Sequence, residues 1–317
     1  LVQYPFNRKS SSETIVPNQT LLIFRVDHAL LDALSAMELF RVVFQSPFAI
    51  PNPVLNGKIF SVWHKIILWI SLPYVLSKAL PILLHGRILG KRDPSKGWVY
   101  GATKMIPVDM IKGIKQKHSV GFHSVMRSIV NGGICRVLEK QKKLTPDNIT
   151  TLSTFGTPDH TLGTTNHMKF AVDELPLKSS SSLGRLLATD AALKRSGGGM
   201  SSFASLYLCW ATSMLPSAIC SQFHKAMYYL GPSYILTVMP CTTTREFIDN
   251  MEIVDGYCLA TLSLPIGMFV TVGGINNTQR INVSASPCIL GTNDAPLTDL
   301  TTEFLQELEE LASLNDC

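Results

Sequence analysis

The sequence predicts a mixed α/β architecture, and three observations predict it. Helix-period and strand-like segments alternate from residue 108 towards the C-terminal end. Hydrophobic residues make up 46% of the 317 positions against 16% charged. A His–Asp pair stands where an apolar extended run gives way to a helical one. A chain of this length can bury a sizeable core, as one large domain or as two ordinary ones. Its mean hydropathy of +0.20 is high for a fully soluble enzyme but falls short of a polytopic membrane protein.

The elements follow in order. Residues 21–26 (LLIFRV) form an apolar, strand-like run, and 34–44 have a helical pattern. Residues 108–117 and 120–141 read as helices, the second with Val125, Ile129, Ile134 and Leu138 near helical spacing and a basic end at Lys140, Lys142 and Lys143. A turn over 145–148 (TPDN) follows, then a strand over 166–177 ending at Pro176. Residues 179–183 and 197–199 are turn-forming. The uncharged stretch 196–224 reads as two helices broken near Pro216. Strand signals run over 234–239, stopped by Pro240, and over 266–273 and 280–286 with a Gly-Gly-Ile-Asn-Asn turn between them. Phe304, Leu305, Leu308 and Leu311 place an apolar stripe on an acidic final helix.

The pair is His28 and Asp32, within Val26-Asp27-His28-Ala29-Leu30-Leu31-Asp32-Ala33. Neutral imidazole takes a proton from a hydroxyl near pH 7, which suits a histidine held by backbone on both sides. An aspartate at a helix start equally serves the helix dipole, and His-x-x-x-Asp alone is a short pattern. With its surroundings, the stretch resembles the His-His-x-x-x-Asp-Gly motif of the bifunctional wax ester synthase/diacylglycerol acyltransferase family (O-acyltransferase, WSD type). In that family the second histidine is the base and matches His28. The aspartate matches Asp32, points away from substrate and holds the loop through a charge pair. Asp27 stands where the family has its first histidine, and Ala33 where it has glycine.

The resemblance extends through the order of elements over most of the chain. It departs at His123-Ser124, where the family has Asn-Asp, and at Thr237-Val238-Met239-Pro240-Cys241, where it has an Asn-Val-Pro-Gly-Pro-like segment. His28 and Asp32 are therefore the site residues it carries over. It implies a CoA-dependent acyltransferase (chloramphenicol acetyltransferase-like) two-domain fold whose first domain is incomplete at its N-terminal side. Residues 1–117 would be the remainder of that domain with an apolar connector, and 118–317 the C-terminal WSD-type domain.

The implied reaction is acyl transfer from acyl-CoA, a co-substrate rather than a cofactor, to diacylglycerol or a long-chain alcohol, giving triacylglycerol or wax ester. His28 would be the general base. The alternative is a catalytically degenerate paralogue that binds lipid or membrane without transfer. Ala33, His123-Ser124 and residues 237–241 point that way.

Charge placement bears on partners more than the net +5. No acid occurs between Glu38 and Asp93, while Arg41, Lys58, Lys65, Lys78, Arg87, Lys91 and Arg92 do. Within this interval, 59–89 is rich in Ile, Leu, Trp and Val. Its longest uncharged run, 12 residues from Ile66 to Ser77, contains Pro73 and is short of the ~20 residues a spanning helix needs. Trp63, Trp69 and Tyr74 among basic residues suggest a segment lying on a bilayer surface; a buried inter-domain connector is the other reading. Together with the resemblance, this implies membrane association at the cytoplasmic face of the endoplasmic reticulum or plasma membrane.

Other chemistries find no footing. Seven cysteines are scattered without C-x-x-C or zinc-ligand spacing, so reduced structural thiols and no metal are expected. There is no G-x-S-x-G, Walker A or H-E-x-x-H sequence. The basic residues are too interspersed with aliphatic bulk for nucleic-acid binding. His123, His160 and His167 read as polar histidines with ordinary hydrogen-bond partners.

Overall fold

The computed structural model describes residues 20–28, 30–43, 61–86, 89–90, 92–93, 95–156, 160, 163–197, 214–229, 231–248, 250–261, 266–289 and 297–314. Its helices are α1 (Ala33–Val43), α2 (Val62–His85), α3 (Val108–Lys117), α4 (Phe122–Lys140), α5 (Ser182–Gly197), α6 (Ser217–Tyr229) and α7 (Thr298–Ser313). Its strands are β1 (Val99–Ala102), β2 (Ile106–Pro107), β3 (Asn148–Gly156), β4 (Met168–Pro176), β5 (Tyr234–Cys241), β6 (Phe247–Ile248), β7 (Met251–Glu252), β8 (Met268–Gly274) and β9 (Thr278–Ala285).

Seven strands form one sheet in the order β1-β9-β8-β5-β3-β4, with β2 also on β9; β6 and β7 make a small hairpin. The centre is parallel, β3 to β5 and β5 to β8, and antiparallel strands flank it. Strand alternation then sorts side chains by face. Tyr234, Leu236 and Val238 of β5 join the main core with Val270, Val272, Ile281 and Val283 under the helices. Ile235 faces the other way and meets Leu152, Ile266 and Phe269.

Helix α4 is the centre of the helical layer. Fourteen of its 19 residues are buried, among them Arg127, Ser128 and Asn131, because it packs on the sheet and also against α3, α5 and α7. Two adjacent glycines make the crossing with α7 possible. A Cβ at Gly133 would lie 2.3 Å from Phe304 Cδ1, and one at Gly132 2.3 Å from Glu307 Cδ. Glu307, fully buried, accepts hydrogen bonds from Arg185 and Arg136, so the glycines admit a satisfied carboxylate.

Several sequence expectations are corrected. Residues 20–27 have no regular structure; strand pairing needs a neighbouring strand, and among the described residues none pairs with them. Strands β1 and β2 pair with β9 and α3 packs on α4, so residues 99–117 join the seven-stranded sheet and its helical layer. Strand β5 runs past Pro240 to Cys241, because the register with β8 shifts between Val238 and Cys241 and spares the missing N–H. Of the helical pair, α6 starts directly after Pro216, while residues 198–213 lie outside the described residues, as does Lys58.

Candidate active site

His28 lies in a tight turn, closed by the Leu30 amide donating to the Asp27 carbonyl at 3.0 Å. The His28 side chain is exposed. Four residues on, Asp32 is the N-cap of α1. Its Oδ1 accepts from the Ser35 amide at 2.9 Å, three residues ahead, the geometry that satisfies an otherwise orphan helix donor. Ala33 then opens the helix as an ordinary helical residue and is absent from the positive-φ positions, so no glycine is required there.

The two motif residues face opposite ways. Asp32 is 1% exposed, and its second oxygen accepts from the His167 amide at 2.8 Å and lies 2.7 Å from His160 Nε2. An ionised carboxylate only accepts, so His160 carries its proton on Nε2. Burial alone would raise the Asp32 pKa; the Ser35 amide, the His160 ring and the His167 amide outweigh it and hold the carboxyl below its usual range. Both Asp32 oxygens are thus engaged inside the protein, whereas His28 is presented to solvent.

The partners of this loop come from the connection between β3 and β4. The Asp32 amide donates to the Thr165 carbonyl at 3.1 Å. Asn166 Nδ2 donates to the His28 carbonyl at 2.7 Å and lies 3.4 Å from His28 Nδ1, too far for that second contact to fix a tautomer. Phe24 packs edge-on against Phe40, centroids 4.8 Å apart, which lays the incoming chain on α1.

The remaining motif positions bond elsewhere. Ser124 Oγ and the Gly121 amide both donate to Asp190 Oδ1, at 2.7 and 2.9 Å, so α5 satisfies the N-cap amide of α4 and ties the start of that helix to itself. Burial opposes ionisation of Asp190, but Lys194, Ser124 and Gly121 lower its pKa overall. Thr237 shares a 2.8 Å hydrogen bond with Thr154, and Cys241 Sγ donates to the Thr278 carbonyl. Sequence reasoning did not find Asn166 or Asp190, and it gave His160 no role beyond having a partner. Nothing in the spacing of residues 28, 32, 160 and 166 announces that they meet. Among the described residues no group of three or more His, Cys, Asp or Glu could hold a metal ion, and no helix is long and apolar enough to cross a membrane.

No protein-family model matches the chain, and no curated protein matches its sequence. Solved structures match its fold. The wax ester synthase/diacylglycerol acyltransferase from Marinobacter aquaeolei VT8 superposes with a TM-score of 0.52 at 11% identity, over 82% of this chain and 61% of that one. The epimerization domain from the third module of tyrocidine synthetase B gives 0.55 at 10% identity, over 90% and 67%. The PapA2 acyl transferase gives 0.52 at 8% identity, over 91% and 65%. The chain thus has the mixed α/β chloramphenicol acetyltransferase-like fold of acyltransferases and condensation domains, and spans about three-fifths of the length of the wax ester synthase.

Proposed function

We propose that this protein is an acyl-CoA-dependent O-acyltransferase acting on diacylglycerol or a long-chain alcohol, with His28 as general base. The observation that carries the reading is the division of labour in the motif loop: a solvent-facing His28 four residues from an Asp32 turned inward. It does so in a fold shared with acyl transferases. His28 takes the hydroxyl proton of the acceptor while the oxygen attacks the thioester carbonyl. The tetrahedral intermediate collapses by breaking the C–S bond, and the imidazolium returns its proton to the CoA thiolate. No acyl-enzyme is needed, since both substrates meet at one base and positioning lowers the barrier.

Acceptor lipids would come from a membrane surface. Helix α2 turns Trp63, Ile67, Ile70 and Tyr74 to solvent, in an interval free of acids. Such a surface suits an anionic leaflet on the cytoplasmic side of the endoplasmic reticulum or plasma membrane, which attracts each basic residue by about 1 kcal/mol. The same exposed face favours a second reading, a lipid- or membrane-binding protein without transferase activity.

The deciding experiment incubates the full chain with long-chain acyl-CoA and either diacylglycerol or hexadecanol, following thiol release and ester formation. Acceptor-dependent thiol release is expected, and His28→Ala should lower turnover by about 10²–10⁴-fold with the thermal transition unchanged. Ester formation that survives His28→Ala within a few-fold removes His28 from the mechanism. Vesicle binding without any ester formation establishes the second reading.

A further inference from the structure

We propose that the connection between β3 and β4 is the clamp that sets the His28 loop, with His160 and Asn166 as positioning residues for the transfer reaction. The proposal rests on the reading of His28 as the base. Residues 20–28 and 30–32 lie in no helix or strand, so no helix or sheet ladder of their own fixes them. They are laced instead to His160 and to residues 163–167. At Asp32 the exchange runs both ways: its amide gives to the Thr165 carbonyl, and its carboxylate receives the His167 amide. His160 adds a second grip on that carboxylate, in a contact where neither side chain has any solvent exposure. At His28 itself, Asn166 holds the main-chain oxygen of the turn. The connection is shaped to reach this far: Gly163 takes a positive φ of 73°, and the Thr165 amide donates to the Gly163 carbonyl.

The chemistry gives this geometry a consequence. A base displaced by about 1 Å loses on the order of 10²-fold in rate, because proton transfer and attack need near-contact alignment. Asn166 fixes the backbone of the base, and His160 fixes the carboxylate that anchors the following helix. Neither is placed to touch the reacting atoms through these bonds, so each acts through the loop. Asn166 is exposed, which makes its removal gentle on the fold.

The test uses the full chain with Asn166→Ala, His160→Ala and His160→Gln. It measures kcat, KM and thermal unfolding, together with amide hydrogen exchange of peptides covering residues 27–36. Asn166→Ala should keep the melting temperature and KM, lower kcat roughly tenfold, and speed exchange in those peptides about fivefold. His160→Ala should do the same with some loss of stability. His160→Gln, whose amide nitrogen offers Asp32 an N–H as the ring does, should recover most of both. Asn166→Ala with parental kcat and parental exchange overturns the clamp, as does a His160→Gln variant no better than His160→Ala. If the parent shows no transfer but exchange responds as expected, the clamp stands and the transferase reading falls. If transfer is present and lost in His28→Ala but indifferent to Asn166 and His160, the reading stands and the clamp falls.

Discussion

Helices α4 and α2 are both long, yet the more apolar of the two is the exposed one. Fourteen of 19 residues in α4 are buried, although the helix carries Arg127, Ser128, Asn131 and a Gly-Gly pair. Helix α2 is made largely of Ile, Leu, Val and Trp, and it leaves Trp63 and Ile70 about three-quarters exposed while burying Leu68 completely. Burial here follows available partners, not hydrophobicity. The two largest polar side chains buried on α4 have been given partners: Arg127 pairs with Asp173 at 2.7 Å and donates to Ser153, and Asn131 accepts from the Tyr234 hydroxyl at 2.6 Å. Burial pushes that tyrosine well above its usual pKa, so it stays a donor. The motif loop lies between these extremes, ordered by a few hydrogen bonds to one connection.

The comparison breaks most visibly at Arg127. Arg127→Ala leaves Asp173 buried beside only part of its former partners, and should cost about 3–5 kcal/mol in a denaturant unfolding curve. A cost under 1 kcal/mol would mean that the polar interior of α4 is not what holds it. In the loop, Asp32→Asn weakens an acceptor shared by Ser35, His160 and His167, and about 1–3 kcal/mol is expected. Activity should fall with stability. Lost activity at parental stability would give Asp32 a direct chemical role instead.

Acid sharpens the same contrast. The Asp32 pKa is lowered in the folded protein, so its stabilisation is complete above the unfolded carboxylate pKa of about 4 and is lost as pH falls through the folded value. Asp190 and Asp255 are shifted the same way, so the parent loses stability in acid from several sites. The gap between parent and Asp32→Asn isolates one of them, and it should close in that window. A gap independent of pH would show that the carboxylate charge is not involved.

Gly133→Ala should cost about 1 kcal/mol net. Helix propensity favours alanine by nearly that much, but the overlap with Phe304 forces repacking that costs more. The smallest change in stability belongs to α2. Trp63→Ser with Ile70→Ser should alter unfolding by no more than about 0.5 kcal/mol while weakening flotation with anionic vesicles. A large loss of stability would show that these side chains have a protein partner.

Much of the fold was legible because period and composition agreed. Residues 108–117 are a helix with those bounds, α4 and β4 fall within two residues of expectation, and the turn between the last two strands forms, with positive φ at Asn276 and Asn277. What escaped lacked a local signal. Strand β3 (NITTLSTFG) spaces its apolar residues Ile149, Leu152 and Phe155 by three instead of alternating them, and becomes a strand by lying between β4 and β5. Helix α5 begins in a serine run and contains Gly184, so local propensity argues against it. Conversely, residues 21–26 have the composition of a strand without a pairing partner among the described residues. His28 and Asp32 could be picked out from the motif, but His160 stands 128 positions from Asp32, and such a contact is set by topology alone.

The carbonyl of Gly86, just past the end of α2, accepts hydroxyl donors from both Thr150 and Ser233, each at 2.5 Å. One oxygen thereby ties together three stretches separated by 64 and 147 positions. In kinetic terms this is a late joint. Its two donors come into register only when β3 and the start of β5 lie side by side, as the Ser233 amide donating to the Thr150 carbonyl marks. The entropy of closing both loops is spent before the oxygen finds either hydroxyl. Folding should therefore assemble the sheet first and seat the end of α2 afterwards, so a helix that keeps Trp63 and Ile70 exposed is fastened late.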